Sequence, residues 1–261
     1  MFIRKANLMT KIPATPWIIC PTPNPHARMR LFYLPYAGGD ASTFRTWSSH
    51  FPQSVAVCRI QLPGRENRLR EPPFSQISPL VEALAQVIEP YLSLPYVFFG
   101  HSVGALVAFE LARQLRKLNH LRPAHLFVSG RRAPQIPDRD PPIHQLPDAE
   151  FVRELGRRFN GVPEAVRQDA ELMNALRPML RADIAIDETY VYADGQPLDS
   201  PMSAFGGLQD PIVSHDDLAA WCNQTRCTFT QRMFPGNHFF LQSAQALLLQ
   251  AISQDLTQFL H

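Results

Sequence analysis

Apolar residues recur along this chain with two periods. Short apolar or alternating runs of strand length occupy 29–34, 55–62, 96–99, 126–130, 202–207 and 227–234. A further short run at Trp17-Ile18-Ile19-Cys20 reads as an edge strand. Between these runs the spacing lengthens to that of a helix. Over 77–92, Leu80, Leu84, Val87, Ile88 and Leu92 fall on one face, which predicts an amphipathic helix packed on a sheet. Helices are also expected over 43–51, from 105 onward, and over 215–222 and 244–259.

Strands alternating with helices at this interval specify a parallel sheet covered on both faces, an α/β fold. The alternation stops at 133–192, where Phe151, Val152, Leu155 and Phe159, then Leu172, Leu176, Met179 and Leu180, mark two helices and no strand. A helical insertion between sheet strands predicts a lid, expected to be the most mobile ordered part of the molecule. Residues 1–28, with Pro13, Pro16, Pro21, Pro23 and Pro25, read as a poorly ordered arm, leaving 29–261 as the main domain.

Composition narrows the function classes. A formal net charge of +2 and the lack of a basic run with interleaved aromatics argue against nucleic acid. The apolar runs are too short to cross a membrane, and no apolar stretch follows the basic start before Lys11 and Pro13, so no signal peptide is expected. The four cysteines, Cys20, Cys58, Cys222 and Cys227, lack metal or redox spacing and are expected to be reduced thiols in a cytoplasmic protein.

One stretch carries chemistry. Gly100-His101-Ser102-Val103-Gly104 joins the apolar run at 96–99 to a helical pattern. Strand, G-x-S-x-G and helix form a nucleophile elbow, in which a strained turn lifts the serine hydroxyl above the sheet. Val103 opens the helix, so its N–H is free to meet an oxyanion. The glycines of Ala37-Gly38-Gly39, after the strand at 29–34, suit the second half of an oxyanion hole.

A serine nucleophile needs a base, and the base an orienting carboxylate. In elbow hydrolases these follow in the order Ser, acid, His, on loops after later strands. Ser102, Asp210 and His238 fit that order. Of nine histidines, only His238 lies in a glycine-led loop after the last strand; His26, His50, His101, His120, His125, His144, His215 and His261 do not. Asp210 alone follows a strand-glycine turn, unlike Asp194, Asp199, Asp216 and Asp217.

Several motifs together resemble the type II, or external, thioesterases of nonribosomal peptide and polyketide synthesis. They are Pro35-Tyr36-Ala37-Gly38-Gly39, Gln61-Leu62-Pro63-Gly64-Arg65-Glu66, the elbow with Ala105, Phe109-Glu110-Leu111-Ala112-Arg113, Leu180-Arg181-Ala182-Asp183 and Phe234-Pro235-Gly236-Asn237-His238-Phe239-Phe240. The resemblance covers about 29–241. It implies an α/β-hydrolase with a helical lid that clears acyl groups from the phosphopantetheine arm of carrier proteins and uses no metal or organic cofactor. It implies Ser102, Asp210 and His238 as the triad, and the N–H groups of Ala37 and Val103 as oxyanion donors. Val103 stands where the family more often has methionine. An oxygen-ester hydrolase and a non-catalytic binding protein of the same fold are the competing readings.

The resemblance also implies an acidic carrier as partner, acting with a monomer. The cluster Arg131, Arg132 and Arg139, which begins on the strand rim that holds Ser102, is then expected to dock it, with Arg131 and Arg132 as the contact residues. Arg113, Arg116, Lys117 and Arg122 lie toward the far end of the elbow helix, where its dipole already accounts for cations.

Overall fold

In the computed structural model, strands β1 (Ile18–Ile19), β2 (Met29–Leu34), β3 (Val55–Ile60), β4 (Tyr96–His101), β5 (His125–Ser129), β6 (Met202–Gly207) and β7 (Phe229–Phe234) build one sheet in the order β1-β3-β2-β4-β5-β6-β7. The structure describes residues 14–20, 24–118, 122–159, 166 and 168–259. All neighbouring strands are parallel except β1, which runs antiparallel to β3.

Period-two alternation sorts the apolar side chains between two cores. Phe32 and Leu34 of β2 and Phe98 of β4 face one side, where α1 (Ile77–Ile88) and α2 (Val103–Lys117) pack. Leu31, Tyr33, Val97 and Phe99 face the other, against Phe44, Trp47 and the closing helix. Burial on both faces explains why the central strands read as unbroken apolar runs.

The helix expected over 43–51 is two 3-10 turns instead, Ala41–Phe44 and Trp47–His50. Their buried residues Ala41, Phe44 and Trp47 are spaced by three, which matches three residues per turn. The Asp40 side chain accepts from the N–H groups of Ser42 and Thr43 and starts the first turn. The expected helix over 215–222 is α5 (His215–Ala219), which the structure continues as a 3-10 segment. A short helix that the sequence did not suggest, α6 (Phe240–Ser243), precedes the helix expected over 244–259, which is α7 (Gln245–Thr257).

Part of the presumed arm belongs to the sheet. Trp17 stacks beneath the Arg68 guanidinium, 4.0 Å from its ring centre, and β1 extends the edge. Residues 1–13 and 21–23 lie outside the described residues. The expectation of four free thiols is corrected here, because Cys20 and Cys58 form a disulfide. The antiparallel register pairs Ile18 with Ile60 and Ile19 with Arg59, so the next pair in line is Cys20 with Cys58. Cys222 and Cys227 are free and exposed.

Between β5 and β6 the chain has no strand among its described residues. It forms α3 (Asp148–Arg158) and α4 (Ala170–Glu188), whose apolar faces meet in a third cluster of Phe151, Leu155, Met173, Met179, Leu180 and Ile184. The second helix runs eight residues beyond the stretch read from sequence, with Pro178 inside it. No helix among the described residues is long and apolar enough to cross a membrane.

Candidate active site

Ser102 sits between β4 and α2 with φ 55° and ψ −122°, a region that non-glycine residues seldom occupy. The turn is held from both sides. Ser102 N–H donates to Ser129 O of β5 at 2.8 Å, and Ala105 N–H returns to Ser102 O at 2.9 Å. At Gly104 a Cβ would lie 2.4 Å from Leu34 O and 2.5 Å from Pro35 O, so the elbow closes against β2 only with glycine there. Val103 is the first residue of α2, and its N–H has no carbonyl within the helix.

Two loops at the carboxyl ends of β6 and β7 bring the acid to the base. Leu208 N–H donates to Phe234 O at 2.8 Å, and Gln209 N–H to Gly236 O at 2.9 Å. The Gln209 side chain accepts from Gly236 N–H at 2.7 Å. Asp210 Oδ2 then lies 2.8 Å from His238 Nδ1. Its other oxygen accepts from Ile212 N–H at 2.9 Å, so the carboxylate is fixed at both ends. Both side chains are almost fully buried. His238 Nε2 is buried and has no hydrogen-bond partner among the described residues, and His238 lines the same cavity as Ser102.

Ser102, His238, Ala37 and Val103 line one narrow cavity of about 30 Å³, roofed by Leu155, Phe159, Leu180 and Ile184 of the insertion. A larger cavity of about 370 Å³ also reaches Ser102 and His238 and runs past Ile212 and Val213. The sequence nominated the triad candidates, the glycine loop and the helix start, and the fold brings all of them to one place. It missed the apolar roof, because those residues read simply as the inner face of two helices.

His101 is a second residue the sequence passed over. It is fully buried, its Nδ1 lies 2.9 Å from Ser129 Oγ, and its ring centre is 5.2 Å from that of His238. Burial first, and the nearby His238 second, push its pKa well below the usual histidine value. A neutral ring beside the base avoids a standing cation where an imidazolium would form. Only adjacency to Ser102 could have pointed to it.

Arg131 and Arg132 are not the open basic rim that the sequence led us to expect. They are buried, paired with Asp187 and Asp138 respectively, and they line the larger cavity. Strand β5 ends at Ser129, so the chain following it is still beneath the insertion rather than on its surface. On the elbow helix, Arg113 is paired with Glu110 and bound to Ala193 O, while Arg116 holds Pro197 O and Gln196 O.

Comparison with known proteins agrees with this geometry. Residues 29–256 match the family model "Thioesterase domain". The gramicidin S biosynthesis protein GrsT of Aneurinibacillus migulanus is 46% identical over 240 residues, covering 92% of this chain and 93% of its own. Thioesterase PikA5 of Streptomyces venezuelae is 39% identical, covering 92% and 85%. The solved structure of RedJ, a thioesterase from the prodiginine biosynthetic pathway in Streptomyces coelicolor, superposes with a TM-score of 0.83 at 37% identity and covers 98% of both chains. A parallel sheet with a serine elbow, a helical insertion and relatives of this similarity lead to one conclusion: the chain belongs to the thioesterase family, with the α/β-hydrolase fold.

Proposed function

We propose that this chain is a type II thioesterase that hydrolyses acyl thioesters on the phosphopantetheine arm of carrier proteins, clearing stalled or misprimed synthases. The observation that carries the reading is the 2.8 Å contact of Asp210 Oδ2 with His238 Nδ1, beside a serine in elbow geometry on the same cavity. The relatives named for gramicidin S and prodiginine biosynthesis support the pathway class.

The chemistry follows from the groups present. Ser102 Oγ attacks the thioester carbonyl while His238 Nε2 takes its proton. Asp210 holds the Nδ1–H tautomer and stabilises the imidazolium. The tetrahedral oxyanion is met by the N–H groups of Ala37 and Val103. The carbon–sulfur bond breaks and the thiol leaves with the proton from His238. Water then gives a proton to His238, attacks the acyl-enzyme, and the acid departs as Ser102 regains its hydrogen.

In this reading the narrow apolar cavity takes the acyl chain, and the larger one admits the phosphopantetheine arm. Arg131 and Arg132 then face the arm from inside the cavity. Docking of an acidic carrier falls to the more exposed cations at its mouth, Arg139 and Arg157, whose side chains are 62% and 60% exposed. The acting unit is a monomer, since one chain supplies the whole site, and its location is the cytoplasm.

The test compares turnover of an acyl-loaded carrier protein with turnover of a simple oxygen ester of the same acyl group. A higher kcat/KM for the carrier thioester is expected. Preference for the oxygen ester would make the chain an ordinary esterase, and no turnover of either would leave a binding protein.

A further inference from the structure

Two motifs that stand out in the sequence contribute residues that line neither cavity at Ser102. These residues are Arg65, from Gln61-Leu62-Pro63-Gly64-Arg65-Glu66, and Asp183, from Leu180-Arg181-Ala182-Asp183. The fold brings them together. Arg65 Nη2 donates to Asp183 Oδ1 at 2.8 Å and Nη1 to Oδ2 at 3.0 Å, with side chains only 4% and 2% exposed. A buried pair of this kind is costly to desolvate and is weak evidence of a stabilising purpose by itself.

Its remaining bonds show where it acts. Asp183 Oδ2 also accepts from Gly38 N–H at 2.8 Å. Arg65 Nη1 also donates to Gly39 O at 2.8 Å. Both bonds grip the turn that carries Ala37. Gly39 N–H closes this turn onto Tyr36 O at 2.8 Å, and Gly38 has φ +78°. A positive φ at the third position is the mark of a turn whose central peptide, here between Ala37 and Gly38, can rotate over into the alternative turn type. Glycine makes that rotation sterically cheap. Rotation would turn the Ala37 carbonyl toward Asp183 and break the Gly38 N–H bond that seats the turn; the Ala37 N–H belongs to the preceding Tyr36–Ala37 peptide and moves with the seat of the turn as a whole. The bond from Gly38 N–H to Asp183 selects one orientation.

Leu180 acts from the same helix, one turn earlier. A Cβ on Gly38 would lie 2.5 Å from Leu180 Cδ2, so the turn is seated directly against α4. Charge gives Arg65 a second task. A lone carboxylate beside this turn would oppose an oxyanion forming at Ala37, and the bidentate guanidinium offsets it.

We propose that Arg65 and Asp183 are positioning residues for oxyanion stabilisation. Asp183 fixes the Ala37–Gly38 peptide, and Arg65 fixes Asp183 while neutralising its charge. Because Asp183 belongs to α4 of the insertion, the oxyanion site is complete only when that helix is seated. The proposal rests on the reading of Ala37 as an oxyanion donor and of Ser102 as the nucleophile.

The test uses the full chain with Asp183→Asn, Arg65→Lys and Asp183→Ala. It measures kcat and KM on an acyl thioester and the affinity of an alkyl boronic acid, which forms a tetrahedral adduct on a nucleophilic serine. Folded fraction is taken from near-ultraviolet circular dichroism. Asp183→Asn removes one Arg65 bond while its amide oxygen can keep Gly38 N–H, so it is the mild control, and Arg65→Lys keeps the test available where Asp183→Ala does not fold. Removal of a whole oxyanion donor costs about 10²–10³ in kcat, so misaiming one is expected to cost about 10- to 100-fold. KM should stay within about twofold, and boronate affinity should fall in parallel with kcat/KM. If folded Asp183→Ala, or folded Arg65→Lys where Asp183→Ala does not fold, loses thermal stability but keeps wild-type kcat and boronate affinity, the pair is structural only and the proposal is overturned. The wild type separates the two levels. A wild type that neither hydrolyses thioester nor binds boronate refutes the site itself, whereas an active wild type with unaltered variants refutes only the positioning role.

Discussion

Asp210→Asn is the substitution whose outcome the geometry specifies most closely. Asp210 Oδ1 accepts from Ile212 N–H at 2.9 Å, and Oδ2 faces His238 Nδ1 at 2.8 Å. In the asparagine variant the amide oxygen keeps the backbone donors, since the amino group cannot accept from them. The amino group is thereby turned toward His238 Nδ1. Two donors cannot face each other, so the imidazole moves its hydrogen to Nε2 and can no longer take a proton from Ser102. The stabilisation of the imidazolium is lost as well. The expected fall in kcat is about 10⁴-fold, or about 5.5 kcal/mol of transition-state stabilisation at 1.36 kcal/mol per decade. The fold should survive, because shape and most hydrogen bonds are kept. The exchange of a charge-assisted bond for a neutral one costs about 1–3 kcal/mol of stability. The assay is single-turnover thioester hydrolysis alongside thermal melting, with Asp217→Asn as the control. Asp217 caps α5 through Ser214 and pairs with Arg139, so its loss should lower stability and leave turnover of the folded enzyme near wild type. If Asp210→Asn kept more than about a tenth of wild-type kcat, or Asp217→Asn lost it instead, the acid would be misassigned.

Two further outcomes follow from other parts of the fold. His125 opens β5 beside β6, its Nε2 2.9 Å from Ser203 Oγ, which in turn donates to Asp255. Burial lowers its pKa to about 4, against the pull of Asp255 and with Arg232 assisting. A depressed pKa stabilises the fold above the unfolded value of about 6.5 and loses that contribution as pH falls toward 4, so the melting temperature should drop across this window and His125→Gln should flatten the drop. In the insertion, α4 is tied to the body by Arg65–Asp183 and Arg131–Asp187, whereas the described ion pairs of α3 stay within the insertion. Amide exchange in α3 should therefore be faster than in α4, and equal protection would refute this division of the insertion.

The sheet was legible because its strands are buried on both faces or alternate cleanly, and the grouping of the triad candidates because they occupy the loop positions that an elbow offers. What escaped the sequence depends on contacts between distant segments. The pairing of Cys20 with Cys58 follows from the antiparallel register of β1 on β3, and nothing local announces that register. Ala41, Phe44 and Trp47 fit a helical pattern until their spacing of three is recognised as a 3-10 period. Arg131 and Arg132 follow a strand end and read as a surface cluster, yet they are buried and paired with Asp187 and Asp138 in the insertion. Arg65 and Asp183 lie 118 residues apart, and each alone looks like a solvated charge.

The central claim is that Ser102 forms a covalent acyl-enzyme during thioester hydrolysis. Intact mass spectrometry after rapid mixing with an acyl-loaded carrier protein, followed by peptide mapping, measures this directly. The account predicts a transient mass increase equal to the acyl group, mapped to Ser102, slowed in both formation and decay by His238→Ala and absent in a folded Ser102→Ala variant. Acylation at another residue, or wild-type hydrolysis by Ser102→Ala, would contradict it.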